Sequence, residues 1–221
     1  MDFQSLLFTL PGIILGLVVH EFFHAWTADK LGDPTPRSLG RLTLNPLKHI
    51  DPLGFLFLIV ARFGWAKPVE CDRRNFRHPA LGMSAVALAG PLSNLGLGLI
   101  FSLLTVLFAA TFPAERSLVA SWQIYGITLL DATVQINLGL FLFNLIPIPP
   151  LDGSHLWMGW IPEEKAALKY RLYRFGALGF FALLILSNAF NLPVFSFLGK
   201  GIAWISQGLY GFWGGLTGIS L

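Results

Sequence analysis

Leu6-Leu7-Phe8-Thr9-Leu10-Pro11-Gly12-Ile13-Ile14-Leu15-Gly16-Leu17-Val18-Val19 runs without a break into His20-Glu21-Phe22-Phe23-His24. No residue from Leu6 to Val19 is charged, and Thr9 is the most polar side chain there. Continued to about Ala28, the stretch is long enough to cross a ~30 Å hydrocarbon core as one helix. Three ionisable groups at the end of such a helix are costly unless they pair or bind something. Residues i and i+4 share a helix face about 6 Å apart along the axis, so His20 and His24 can present imidazole nitrogens to one metal ion. Glu21 lies roughly 100° round the helix from His20. This is the pattern in which two histidines hold Zn²⁺ and the glutamate serves as general base toward a water. The bland alternative is an interfacial His/Glu cluster solvated by lipid headgroups.

Composition settles the solvent. The chain is 54% hydrophobic and 12% charged, with a mean hydropathy of +0.65, whereas ordinary globular chains are about 25% charged. A polytopic membrane protein is expected, with room in 221 residues for several spans and short connections. The single cysteine, Cys71, excludes an intrachain disulfide and a cysteine-rich zinc site. Met1-Asp2-Phe3-Gln4 has no basic residue before the apolar run, so the first span reads as retained rather than as a cleaved signal. The chain carries no internal repeat and no low-complexity linker, and no nucleic-acid partner is expected. It reads as one domain, 1–221, with a core at about 6–160 and C-terminal spans at about 174–216.

After the first span comes a polar, turn-rich region from Asp29 to Asp51. Within it Arg41-Leu42-Thr43-Leu44 alternates polar and apolar, which predicts a short strand. Pro52 to Ala61 is apolar but too short to cross, so it reads as re-entrant or buried, and Phe63 to Val69 reads as a second extended piece. Long apolar runs follow at about Leu81–Ala110 and Ile124–Ile146, then Pro147-Ile148-Pro149-Pro150-Leu151-Asp152-Gly153. A run to about Ala189 and a Gly- and Trp-rich stretch, Leu198 to Leu216, complete the chain. The expected fold is all-α: three core helices, one or two C-terminal spans, and a short β-hairpin or re-entrant region between the first two long spans.

Lys and Arg fix the expected orientation. Lys30, Arg37, Arg41, Lys48, Arg62, Lys67, Arg73, Arg74 and Arg77 fall between the first two long spans, and Lys165, Lys169, Arg171 and Arg174 follow the third. The loop between the second and third has only Arg116. An N-terminus outside and both basic stretches in the cytoplasm follow. His20, His24 and Asp152 then arrive on the same, cytoplasmic side by an argument independent of the motif.

A catalytic zinc takes three protein ligands and an open position. Candidates for the third are Asp152, His155, His49, His78, Asp51 and Asp131. Asp131 lies in the outer half of its span, and His49 and His78 read more readily as solvated or structural. The prolines before Asp152 must break the helix, and non-helical backbone at membrane depth survives only inside protein or along a water-filled cavity. Gly153 lets the chain turn closely behind the carboxylate. Against this stands the reading of Asp152 as a helix cap, with His155 as the fallback ligand. In the middle span, Gly90-Pro91-Leu92-Ser93-Asn94 combines close packing with a primary amide that needs partners. Asn94 is a candidate to contact substrate or an oxyanion, or to tie two helices.

These segments resemble the site-2 protease family of intramembrane zinc metalloproteases. The resemblance rests on HEFFH, on GPLSN and on NLIPIPPLDG from Asn144 to Gly153, with GRLTLNPLKHIDPLG and FGWAKPV between them similar to its compact bacterial branch. It covers roughly residues 10–160, with the motifs in family order. It implies one Zn²⁺ per chain held by His20, His24 and Asp152, with Glu21 as catalytic base and Asn94 assisting substrate or transition state. Single-span membrane proteins would be the substrates, bound within the lipid bilayer. Arg41, Leu42, Thr43 and Leu44 would hold an unwound substrate by adding it as an edge strand. Unlike larger members of the family, the chain is expected to carry no span before the HEFFH helix and no appended PDZ or CBS domain. Other classes use similar residues: a zinc hydrolase of lipid or prenylated substrates, a metal transporter, or an inactive metal-binding scaffold. A transporter would line a path with ionisable groups, of which only Asp131 lies in the outer half. A scaffold has no need of Glu21.

Overall fold

The computed structural model describes residues 3–61, 64–112, 121–190 and 192–218. The leading apolar run forms α1 (Phe3–Lys30), its helix carrying on past both histidines. Three short helices follow. α2 (Thr35–Ser38) is set by Asp33. α3 (Pro46–His49) is capped by Asn45, whose side chain accepts the Leu47 N–H at 3.0 Å. α4 (Pro52–Ala61) has Asp51 accepting the Gly54 N–H at 2.8 Å, so Asp51 serves as a cap. The long spans are α5 (Pro79–Thr111), opened by Pro79 in its first turn, and α6 (Ser121–Asn144). Beyond the proline break lie a 3₁₀ turn at Asp152–Ser154, then α7 (His155–Met158), α8 (Ala166–Ala189) and α9 (Ser196–Thr217). Among the described residues α1, α5, α6 and α8 are long and apolar enough to cross a membrane. The protein is a multi-pass membrane protein.

Helices α1, α5 and α6 pack on one another as the core. Lipid tails are as apolar as leucine, so such contacts depend on close approach rather than on hydrophobic exclusion. Small residues supply it: a Cβ on Gly12 would lie 3.0 Å from Thr133 Cα, and one on Gly16 would lie 2.8 Å from Asn137 Oδ1. The sequence carries this signal in Gly12 and Gly16, one helical turn apart. α9 runs antiparallel along α6, with Gly201 against Leu142 and Tyr210 donating to Asp131 Oδ1 at 2.6 Å. Trp213 Nε1 also donates to Ser102 Oγ on α5 at 2.9 Å. Asp131 is therefore part of a helix–helix tie, and residues 198–216 lie along the core rather than across its end. α8 meets the core at the α6 C-terminal end, where Gly176 faces Pro149 and Phe180 stacks edge-on with Phe143.

The expected strand at Arg41–Leu44 does not form. Arg41 turns inward and is buried, its guanidinium donating to the carbonyls of Lys48 and Lys67, while Leu44 is exposed. Thr43 N–H donates to Arg41 O at 2.9 Å, closing a turn where a strand would extend. The alternation was real, but burying one cation against two carbonyls reverses the face it implied. The expected hairpin reduces to an isolated antiparallel bridge, Ile50 with Ala66, and no other β pairing occurs among the described residues. Phe63, expected in the second extended piece, lies outside them.

Asp33 locks this region to the end of α1. It accepts from Thr35 N–H (3.0 Å), Thr35 Oγ (2.6 Å), Asp72 N–H (2.7 Å) and Asn75 Nδ2 (2.8 Å). Burial opposes its charge, yet these donors hold its carboxyl below the usual carboxylate range. Behind it Ala28, Phe76 and Val86 form a small buried cluster joining α1, the 71–76 segment and α5.

Candidate metal centre

His20 and His24 are buried on the inner face of α1, and each has its Nδ1 engaged. His24 Nδ1 lies 2.7 Å from Val86 O, which only accepts, so this nitrogen carries the hydrogen. His20 Nδ1 lies 2.6 Å from Asn94 Oδ1, again an acceptor. Both Nε2 atoms are therefore left with lone pairs, and these point at each other across 2.9 Å. Asp152 Oδ2 completes the cluster at 3.0 Å from His20 Nε2 and 3.3 Å from His24 Nε2. Three acceptors so close repel unless a cation sits among them. Tetrahedral zinc with bonds of about 2.0–2.1 Å would space its donors about 3.3 Å apart, so the donor set and its spacing fit that ion. Both histidines donate from the outer nitrogen, to Asn94 Oδ1 and to Val86 O, the arrangement that fixes ring orientation in metal sites.

Three further features shape the centre. The proline break and the 3₁₀ turn bring Asp152 back to α1, and a Cβ on Gly153 would lie 2.4 Å from Leu145 O, so only glycine fits behind the carboxylate. The Asp152 side chain is 21% exposed against 6% and 9% for the two histidines, which makes its side the open one. Buried Glu21 accepts the Val69 N–H on Oε2 at 3.0 Å, tying the non-helical 64–72 stretch to the site.

On α5 a Cβ at Gly90 would lie 2.4 Å from His24 Nε2 and 2.7 Å from His20 Cε1. Gly90→Ala is therefore expected to displace the imidazole pair and weaken zinc binding by at least the ~10–100-fold seen when a supporting group is lost. Gly96→Ala, where a Cβ meets nothing within 4 Å, is the control and should leave affinity unchanged. Chelator competition on the two variants measures this.

Among the described residues His20, His24 and Asp152 form one group of candidate ligands, and His155, His49, His78 and Asp131 do not join it. His49 is instead buried, its Nε2 donating to Thr43 O at 2.7 Å to anchor the loop. Asn94 is fully buried, and its amide is spent between helices: Oδ1 on His20, Nδ2 on Gly16 O at 3.1 Å and on Asn137 Oδ1 at 2.9 Å. Asn137 was legible only as a second primary amide inside an apolar span. Ile13 and Leu17 of α1, with Phe55, Ala66, Leu140 and Ile202, line a partly open apolar cavity of about 390 Å³, to which none of His20, Glu21, His24 and Asp152 contributes.

The family model described as Peptidase family M50 matches residues 115–187, which contain the proline break and Asp152. A Bacillus subtilis (strain 168) protein named "Putative zinc metalloprotease YwhC" is 39% identical over 180 residues, covering 80% of this chain and 81% of its own length. The chain belongs to the M50 peptidases, the site-2 protease family. A Methanocaldococcus jannaschii M50 relative, "Putative zinc metalloprotease MJ0611", is 38% identical over 164 residues, or 73% of this chain and 75% of its own. "Putative zinc metalloprotease Rip2" of Mycolicibacterium smegmatis is 35% identical over 164 residues, 72% of this chain but 60% of that longer protein. No solved structure matches the chain. As an M50 peptidase it is a membrane zinc metalloprotease.

Proposed function

We propose that this protein hydrolyses a peptide bond in or near a transmembrane segment of single-span membrane proteins. His20, His24 and Asp152 would hold one zinc, and Glu21 would act as the base. The observation carrying this reading is the convergence of three acceptor atoms, two of them on imidazoles whose outer nitrogens are already spent, with a buried glutamate on the same helix. When bound, zinc would supply Lewis-acid polarisation of the scissile carbonyl and acidify a water. Glu21 takes the water proton and returns it to the leaving amine. The Val69 N–H holds Oε2, which leaves Oε1 as the atom assigned to proton transfer. Asp152, on the open side, leaves room for the peptide to approach. A helical substrate must unwind before its carbonyl can be attacked, and the apolar cavity lined by Leu17 and Val18 on the same helix would give its side chains a place away from water. Zinc analysis, with cleavage of single-span proteins by purified protein and a Glu21→Gln control, tests the reading.

We infer also that the site faces the cytoplasm. Arg73 Nη2 lies 3.5 Å from Gly159 O, which brings the first basic stretch beside the segment that links Asp152 to the second, and basic stretches favour the inner side of the membrane. Arg116 lies outside the described residues. In a Cys71→Ser background, Arg77→Cys and Arg116→Cys should react with an impermeant thiol reagent from opposite sides of the membrane. Labelling from one side only would sink the orientation.

A further inference from the structure

We propose that Asn137 is a positioning residue for His20, acting through Asn94; this rests on the reading of His20 as a zinc ligand. Asn137 is fully buried in α6, and its Nδ2 donates to Thr133 O at 2.9 Å. Thr133 O can only accept, so the Asn137 amide is fixed with Oδ1 facing α5. There it takes a hydrogen from Asn94 Nδ2 at 2.9 Å, and the other Asn94 hydrogen goes to Gly16 O at 3.1 Å. Asn94 is then fixed in turn, with Oδ1 2.6 Å from His20 Nδ1. Flipping either amide sets an acceptor against an acceptor. The relay ends by requiring hydrogen on His20 Nδ1 and a lone pair on Nε2, the form a metal ligand needs. It spans all three core helices. It also explains why Gly16 carries no side chain, since a Cβ there would lie 2.8 Å from Asn137 Oδ1.

A residue that merely ties helices would affect stability without touching the metal. Asn137→Ser keeps a short donor able to bond back to the Thr133 carbonyl, but withdraws the acceptor from Asn94. Purified full-length protein, stripped of metal and titrated with zinc against a competing chelator, should show affinity reduced about 10–100-fold. Asn137→Leu, which fills the space with no polar atom, should do the same. Asn94→Ala should also weaken binding, and adding Asn137→Ser to it should cost little more, because both act on one atom. Thr133→Val removes a hydroxyl bonded to Leu129 O and leaves the Thr133 carbonyl in place, so its zinc affinity should match wild type. Wild-type affinity in both Asn137 variants with a lowered melting temperature, or additive losses in the double variant, would overturn the relay alone. Unchanged zinc in His20→Ala would instead remove the ligand reading on which it stands.

Discussion

Glu21→Gln protein is expected to retain its zinc and lose hydrolysis by about 10²–10⁴-fold, the range for losing general acid–base catalysis. The amide is nearly isosteric and can still accept the Val69 N–H through its oxygen, so the 64–72 stretch should keep its place. What it cannot do is accept a proton from water. Substrate binding should survive, making the variant a trap from which uncleaved membrane protein can be co-purified. Cleavage at the wild-type rate would remove Glu21 from the chemistry.

Asp152→Ala is expected to lower zinc affinity by more than the ~10–100-fold attached to outer partners, because a donor itself is removed. Two uncharged imidazoles would remain as donors, with no anionic ligand bound to the ion. His155→Ala should leave zinc close to one per chain, since His155 lies outside the converging group. The reverse pattern would transfer the role to His155. The cap reading of Asp152 left open by the sequence predicts a different loss, in the stability of the turn before α7 with zinc unchanged. In the structure the carboxylate faces both imidazoles instead. Bound zinc counted per chain, beside the melting temperature of each variant, separates the three cases.

Much of this molecule was legible in order along the chain. Uninterrupted apolar runs have one stable form in lipid, because every backbone group must be satisfied within the segment. The spans therefore follow from composition; the Pro52–Ala61 run, read as re-entrant or buried, forms the short helix α4 with Leu53, Leu56, Phe57 and Ile59 exposed. The spacing of His20 and His24 is a property of any helix, and three prolines ahead of Asp152 dictate a break wherever they occur. Local rules of this kind do not depend on what lies opposite.

What the tertiary structure decided was whatever depends on an opposing surface. Arg41–Leu44 had a strand's alternation, but carbonyls of Lys48 and Lys67 drew the arginine inward and turned the chain. Asn94 needed partners on any reading, and only the approach of α1 and α6 showed them to be His20, Gly16 and Asn137. The glycine at position 90 looked like helix packing, until the imidazoles stood where its Cβ would be. Sequence by itself determined which segments enter the membrane and which side chains carry chemistry, because period and polarity are local. The direction of each lone pair was set by acceptors far away in the chain, and only the packed helices bring those within hydrogen-bond reach.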